Sequence, residues 1–373
     1  MSIRTTPPFR ADHVGSLLRP PELLAAREDF AAGRIDADDL RAIEDAAITD
    51  AVKMQEEIGL KAATDGEFRR ASWHMDFIYQ LGGVSESDEH MHVKFHNQNG
   101  DIEFNPAKAH VHDTVTLPKT IFGEHFEYLK SQVTTALPKL TIPSPSMVHY
   151  RSGRPYIDRD IYPEMDEFWD DLSAAYAQEV KQLHELGCTY LQMDDTCFAY
   201  LNDANQRQEI LDRGEDAEHL HLRYIQQINA AIADRPQGMA LTVHMCRGNF
   251  RSSWVAEGGY DYVAEPLLSQ LDVDGYFMEF DDERSGGFEP LRFLAPGKFI
   301  VLGLVTSKRP ELESKDDIKR RLEAASKYVP MEQLCLSPQC GFSSTVEGNS
   351  LTIEEEKAKL RLIVEIADEV WGR

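Results

Sequence analysis

The chain has 373 residues, 42% of them hydrophobic, which fits one large α/β barrel or two ordinary domains with a sizeable core. Its 39 basic and 64 acidic residues give a net charge of −25, which disfavours nucleic acid and anionic membrane surfaces as partners. No run approaches the roughly 18 consecutive apolar residues of a membrane-spanning helix, and residues 1–10 lack an apolar signal-peptide region. Five scattered cysteines are too few for a disulfide framework, so we expect free thiols in a reducing cytoplasm.

Short apolar runs alternate with amphipathic stretches along the whole chain. The strands that this pattern predicts lie at 10–18, within 60–70, and at 140–147, 189–195, 239–246, 274–280, 298–306 and 333–341. Helices are predicted to open at Pro20-Pro21 and to cover 36–60, 163–186, 216–233, 314–329 and 352–370. Eight strands alternating with helices predict an α/β fold, a single (β/α)₈ TIM barrel that forms one catalytic domain over residues 1–373.

Residues 83–140 differ from the rest of the chain, because they are polar, rich in His and Thr, and alternate with a period of two. This pattern predicts a β-hairpin excursion inserted after the second strand. His90, His92 and His96 could suggest a second metal site there, but we interpret them as surface histidines of the hairpin.

The run Leu241 to Asn249 ends a β-branched strand in His-x-Cys and then breaks at Gly-Asn. Residues two apart point to the same face of a strand, so His244 and Cys246 project together at its carboxyl end. An imidazole beside a thiolate suits Zn²⁺. A core histidine beside a buried cysteine is the alternative, and only the wider context decides between them.

Active sites of such barrels lie at the carboxyl ends of the strands. The polar residues predicted at those ends are Ser16, Glu67, Asp194, Asp195, His244, Cys246, Glu279 and Cys340. Four of them, His244, Cys246, Glu279 and Cys340, would complete a four-coordinate zinc site. Zinc with two thiolates is suited to binding an incoming thiol and holding it as a nucleophilic thiolate, so we expect a thiol-alkylating enzyme.

Several of these assignments have alternatives. Asp281 and Asp282 compete with Glu279 as the carboxylate ligand, and spacing alone does not choose between them. Cys197 is a weaker candidate ligand near the rim, and the Asp194-Asp195 pair could be a solvated loop. Cys188 and Cys335, at the beginnings of strands, are interpreted as core residues.

At these residues the sequence resembles the cobalamin-independent methionine synthases, specifically their C-terminal catalytic barrel. The resemblance covers roughly 10–370 and includes His-Met-Cys at 244–246, the Glu of Tyr-Phe-Met-Glu at 279, and Ser-Pro-Gln-Cys-Gly at 337–341. It implies Glu279 as the carboxylate ligand. It also implies that Ser16 holds the homocysteine carboxylate and that Glu67 and Asp194 hold its amino group.

The departures from the family cluster on the methyl-donor side. The chain has no room for the second, N-terminal barrel of the full-length enzymes. The family's catalytic His after strand seven corresponds to Thr306, which cannot act as a general acid at neutral pH, and Asp195 replaces a Glu. The folate-stacking tryptophan has no clear match, although Trp73 and His74 could line a different donor pocket or simply form a packed loop.

The resemblance thus implies a zinc-dependent enzyme like 5-methyltetrahydropteroyltriglutamate–homocysteine S-methyltransferase. Its thiol would be homocysteine or a similar small thiol, and its donor a methyltetrahydrofolate or methylcobalamin. The enzymatic alternative is alkyl transfer to another thiol, as in epoxyalkane:coenzyme M transferases, and the non-enzymatic one is a zinc- or thiol-binding barrel. A homo-oligomer is compatible with the sequence, which does not decide the oligomeric state.

Overall fold

A computed structural model of the chain describes residues 4–97 and 100–372. The α-helices are α1 (Pro21–Ala31), α2 (Ala37–Ile58), α3 (Met75–Ile78), α4 (Gly123–Gln132), α5 (Ser146–Tyr150), α6 (Met165–Glu185), α7 (Cys197–Tyr200), α8 (Ala204–Asp212), α9 (Leu220–Ile232), α10 (Ala264–Gln270), α11 (Lys315–Ala325) and α12 (Ile353–Trp371). The strands are β1 (Ala62–Ala63), β2 (Gly82–His90), β3 (Val93–Asn97), β4 (Gly100–Phe104), β5 (Ala107–Thr116), β6 (Leu137–Pro138), β7 (Leu140–Pro143), β8 (Tyr190–Asp195), β9 (Ala240–Met245), β10 (Gly275–Glu279), β11 (Phe299–Val305) and β12 (Leu334–Pro338). Short 3₁₀ helices cover Arg154–Tyr156, Glu283–Ser285, Glu289–Phe293 and Met331–Gln333.

The central sheet has six parallel strands in the order β12-β11-β10-β9-β8-β7. Strands β1 and β6 form a separate parallel pair, and Ala11 makes a parallel bridge with Leu336 of β12. The predicted α/β fold is therefore confirmed. Because neighbouring strands run in the same direction, their carboxyl ends meet on one side of the sheet. Asp194 of β8 lies opposite His244 of β9, and His244 lies opposite Phe277 of β10.

In place of the first predicted strand, the structure has a single β-bridge at Ala11. After Ala11, side chains rather than a neighbouring strand form many of the hydrogen bonds to the backbone. The carbonyl of Gly15 accepts a hydrogen bond from the Thr64 hydroxyl at 2.6 Å. The N–H of Leu18 donates to the Glu356 carboxylate at 3.0 Å. The segment that carries Ser16 is thus held in place without a regular ladder.

The polar segment that follows α3 forms two antiparallel pairs of strands, β2 with β5 and β3 with β4. The remainder of the predicted 83–140 excursion is different: it holds helix α4 and strand β6 instead. Two backbone hydrogen bonds join the β3–β4 pair to the loop after β9: the N–H of His96 donates to the carbonyl of Trp254 at 2.6 Å, and the N–H of Trp254 donates to the carbonyl of His96 at 2.9 Å. The antiparallel segment therefore lies against the side of the sheet where the strands end.

Local signals set the ends of the long helices. The Asp36 side chain caps α2, and Thr352 forms a capping box with Glu355 at the start of α12. Ser314 occupies the N-cap position of α11, but its side chain makes no cap hydrogen bond. Within the described ranges, no helix combines the length and apolarity needed to cross a bilayer.

Candidate metal centre and substrate cavity

The structure brings four predicted zinc ligands together from three strand ends. His244 lies in β9 and Cys246 directly follows it, Glu279 is the last residue of β10, and Cys340 comes two residues after β12. One donor atom from each of these side chains lies within 4.8 Å of all the others. All four residues are buried, so the cluster is shielded from bulk water.

The separations in this cluster fit a metal ion. The Sγ of Cys340 lies 3.4 Å from Cys246 Sγ and 3.4 Å from His244 Nε2. Tetrahedral zinc with bonds of about 2.3 Å to sulfur and about 2.0 Å to nitrogen requires ligand atoms roughly 3.3–3.8 Å apart. Glu279 Oε1 accepts from the backbone N–H of Arg247 at 2.8 Å, whereas its Oε2 is buried without a hydrogen-bond partner among the described residues. The Arg284 guanidinium lies 3.6 Å from this Oε2. A buried carboxylate oxygen without a hydrogen bond, beside two thiols and an imidazole, suits a Zn²⁺ ligand.

The charges of the four groups are strongly coupled. The hydrogen bond from Cys246, and then the nearby His244, hold the pKa of the Cys340 thiol well below its ordinary value, against the effect of burial. Burial disfavours protonation of His244, but the adjacent Cys340 outweighs it and raises the pKa of His244 to about 9. Burial, reinforced by Cys340, raises the pKa of Glu279. The cluster thus concentrates negative charge that a divalent cation would neutralise.

A cavity opens beside the cluster. His244, Cys246 and Cys340 line it, as do the three residues predicted to hold an amino acid, Ser16, Glu67 and Asp194. Glu279 is fully buried behind the cavity wall. The predicted thiol-activating and amino-acid-binding groups therefore share one enclosed space.

Glu67 is presented by a constrained turn. Its backbone has a φ of 61°, a left-handed conformation that is uncommon outside glycine. Its carboxylate accepts from the Thr141 hydroxyl at 2.7 Å and lies 3.7 Å from the Arg70 guanidinium. Burial nevertheless raises the pKa of Glu67. The side chain is held at the cavity while its charge is only partly compensated, so it can accept a cationic ligand.

Asp194 and Ser16 occupy other parts of the same wall. Asp194 accepts a hydrogen bond from Gln192 at 2.6 Å, and burial raises the pKa of its carboxyl to about 7. The Ser16 hydroxyl packs against the loop after β12, where a Cβ at Gly341 would lie only 2.0 Å from Ser16 Oγ. This close approach requires glycine at position 341 and brings the Ser343 N–H to within 3.4 Å of Ser16 Oγ.

Other candidates from the sequence lie elsewhere. Asp195 points away from the cavity and accepts hydrogen bonds from Ser144, Ser146 and the N–H of Phe198. The Cys197 thiol contacts Met147 Sδ at 3.6 Å, outside the metal cluster. His90 and His92 are partnered by Asn105, and His96 is partnered by Asp101. Within residues 4–97 and 100–372, none of the three belongs to a group of side chains that could hold a metal ion. Cys188 and Cys335 are fully buried in the core, as predicted.

The sequence missed two cations near the site. Lys308, two residues beyond Thr306, is buried and donates to Asn249 Oδ1 at 3.0 Å and to the carbonyls of Gly248 and Ser253, both at 3.2 Å. The hydrogen bond to Cys340, together with burial, raises the pKa of Cys246 well above its ordinary value, and the Lys308 charge opposes this only weakly. Arg151 lines the cavity together with Trp73 and His74. A single basic residue in an irregular segment carries no sequence signal that would single it out.

Comparisons with known proteins agree with this geometry. A family model described as the catalytic domain of cobalamin-independent synthase matches residues 9–369. Uncharacterized protein YxjH of Bacillus subtilis (strain 168) is 45% identical over 370 residues, which cover 98% of this chain and 95% of the relative. Methionine synthase of Pyrococcus abyssi (strain GE5 / Orsay) is 25% identical over 335 residues, 88% of this chain and 85% of the relative. The crystal structure of the putative vitamin-B12-independent methionine synthase from Listeria monocytogenes is 36% identical, has a TM-score of 0.77 and is covered over 99% of both chains.

Proposed function

Because the chain belongs to the family of cobalamin-independent synthase catalytic domains, we propose that it is a zinc-dependent S-methyltransferase that methylates homocysteine to methionine. The family membership predicted from the sequence is confirmed by the match. The observation that carries the proposal is the convergence of donor atoms from His244, Cys246, Glu279 and Cys340 within 4.8 Å. Zinc bound there would lower the pKa of an incoming thiol and make it a nucleophile at neutral pH.

The three polar residues of the cavity would orient the substrate. The ammonium group of homocysteine would contact the carboxylates of Glu67 and Asp194, and its carboxylate would accept hydrogen bonds from Ser16 and neighbouring N–H groups. These contacts fix the amino acid so that its sulfur faces the metal cluster. In the transfer step the homocysteine sulfur forms a bond to the methyl carbon. The bond between that methyl group and the donor breaks, and its electron pair stays with the donor.

The strand pairings support the more specific proposal of a closed (β/α)₈ barrel. Ala11 joins the first segment to β12, and the N–H of Leu17 donates to the carbonyl of Gly66 at 3.1 Å, beside the β1 segment. On this interpretation, β1 with β6 and β7 completes the ring, and the β2–β5 segment is an insertion that covers its mouth. One catalytic domain then spans the chain.

The methyl donor would be a methyltetrahydrofolate or methylcobalamin. Alkyl transfer to a thiol such as coenzyme M is not favoured, because carboxylates of Glu67 and Asp194, rather than a set of cations, flank the metal cluster. Five free cysteines, two of them in the cluster, require a reducing compartment, so we place the enzyme in the cytoplasm.

The first test is the zinc content of the protein, measured together with its zinc X-ray absorption spectrum before and after addition of homocysteine. We expect about one zinc per chain, with two sulfur and two nitrogen or oxygen ligands that become three sulfur ligands and one other on addition. Methionine formation from 5-methyltetrahydrofolate or methylcobalamin would then identify the donor. An unchanged shell would argue for another thiol, and a protein that bound no zinc would contradict the proposal.

A further inference from the structure

One buried arginine joins two of the loops that form the amino-acid side of the cavity. Arg19 is only 6% exposed. Its Nη2 donates to the carbonyl of Glu67 at 2.9 Å and to that of Arg70 at 2.8 Å. Its Nη1 donates to the Ser343 hydroxyl at 2.6 Å and to the carbonyls of Ser343 and Thr345, both at 3.1 Å. The guanidinium thus joins the loop after β1 to the loop after β12 through five hydrogen bonds.

The contacts on the β1 side hold the turn that presents Glu67. The N–H of Arg70 donates to the carbonyl of Glu67 at 3.0 Å, so these two residues are the ends of one turn, and Arg19 binds both ends. The φ of 61° at Glu67 is a strained conformation, which persists only where the surrounding contacts determine it. Without Arg19 the turn would be free to relax, and the Glu67 carboxylate would move with it.

The contacts on the β12 side hold the segment that packs against Ser16. The N–H of Phe342 donates to the Ser16 carbonyl at 3.0 Å, and the N–H of Ser343 donates to Ser16 Oγ at 3.4 Å. Ser343 is also the residue whose hydroxyl and carbonyl bind Arg19. The same guanidinium therefore supports Glu67 on one side and the surroundings of Ser16 on the other.

The arrangement of the acceptors requires arginine at position 19. The planar guanidinium presents its N–H donors in a fixed fork, so Nη1 and Nη2 can each face a different loop. Burial lowers the pKa of Arg19 to about 10, so the side chain remains charged at neutral pH. A lysine ammonium carries its three donors on a single nitrogen and cannot reach both loops at once.

We propose that Arg19 is a positioning residue for amino-acid recognition. It acts through Glu67 and the loop after β12, without contacting the substrate, and it fixes the distance between the groups that bind the ammonium and the carboxylate. This inference rests on the proposed function, because that function gives Glu67 and Ser16 a common ligand. It adds to the site a residue that neither binds the metal nor touches the amino acid.

Binding of L-methionine, measured by isothermal titration calorimetry, tests the inference without a methyl donor. Arg19→Ala should weaken L-methionine binding at least about tenfold. Arg19→Lys keeps the charge but loses the bridge between the loops, so it should weaken binding as well. Arg154→Ala is the matched control, because Arg154 also donates to backbone carbonyls, those of Ile157, Tyr162 and Pro163, and should leave L-methionine binding unchanged.

A double-mutant cycle with Glu67→Gln separates positioning from a general loss of stability. If Arg19 acts through Glu67, the double variant should bind L-methionine about as tightly as the weaker-binding single variant. Losses that multiplied, to about 100-fold or more, would show two independent effects and overturn the inference. A general loss of stability would lower the binding stoichiometry and produce no such coupling. If Arg19→Ala does not fold, Arg19→Lys serves in the same cycle.

The outcomes distinguish this inference from the proposed function. L-methionine binding that was unchanged in Arg19→Ala and Arg19→Lys would overturn the inference and leave the proposed function standing. Wild-type protein that bound no L-methionine would overturn both. The zinc spectrum with homocysteine does not depend on the Arg19 variants, so it tests the proposed function separately.

Discussion

Replacing Cys340 with serine should remove zinc while leaving the fold intact. Its Sγ lies 3.4 Å from both Cys246 Sγ and His244 Nε2, so it contacts two of the other three proposed ligands directly. Loss of a residue that merely hydrogen-bonds to a zinc ligand weakens zinc binding roughly 10- to 100-fold. Loss of the ligand itself should exceed about 100-fold, or about 2.7 kcal/mol. The core strands do not depend on the cluster, so the unfolding transition of the metal-free protein should shift little.

The assay is zinc retained after dialysis against a weak chelator, measured beside urea unfolding of the metal-free forms. Cys335→Ala is the matched control, because Cys335 lies in β12, the strand that leads to Cys340, but packs against Val14, Phe277 and Val301. It should keep zinc and lose about 1 kcal/mol of stability through reduced burial. If Cys340→Ser kept zinc at wild-type affinity, the assignment of this thiol as a ligand would be refuted.

Three further predictions concern substrate binding, pH and the core. Glu67→Gln and Asp194→Asn should each raise the KM for homocysteine about 10- to 100-fold at unchanged zinc content, because a hydrogen bond to a charged group contributes about 1.5–3 kcal/mol. Steady-state kinetics would measure this increase. An unchanged KM would mean that the homocysteine ammonium group binds elsewhere. Burial raises the pKa of Glu179 to about 8 from an ordinary 4.5, so the wild-type protein loses stability as the pH rises between these two values. Glu179→Gln lacks this titration. Across the same pH range, its unfolding free energy relative to that of the wild type should therefore increase by at most about 1.4 kcal/mol per pH unit. The Lys139 ammonium lies 3.2 Å from the carboxylate of Asp12, and both side chains are fully buried. Lys139→Met should therefore lower the free energy of unfolding in urea by about 3–5 kcal/mol, because it leaves the Asp12 carboxylate without its charge partner. A decrease below about 1 kcal/mol would contradict this.

The sequence predicted the later strands and their ends well. The strands predicted at 189–195 and 274–280 lie at Tyr190–Asp195 and Gly275–Glu279. Every residue of these two strands is buried, as is typical of strands in a parallel sheet that is covered on both faces. The predicted strand ends placed His244, Cys246 and Cys340 at one edge of the sheet, whereas the choice of Glu279 over Asp281 and Asp282 came from the family resemblance.

Features that depend on contacts between distant segments were not predicted. Helices α8 and α10 are short, and neither was predicted, although the Asp203 side chain caps the start of α8. The pattern predicts a strand in the opening segment, but side chains from far along the chain form many of the hydrogen bonds to its backbone. Likewise, Arg151 and Lys308 reach the site from irregular loops, where neither periodicity nor spacing identifies them.

The order in which the metal-cluster residues are synthesised follows from their places in the chain. Cys246 and Cys340 are 94 residues apart, so at a translation rate of roughly 5–20 residues per second the first thiol waits about 5–19 s for the last. Glu279 joins His244 and Cys246 during that interval, so three residues of the cluster await the fourth. On the proposed function, metal capture would therefore be completed late in the biogenesis of this protein, and it would depend on the nascent chain remaining reduced until β12 has docked.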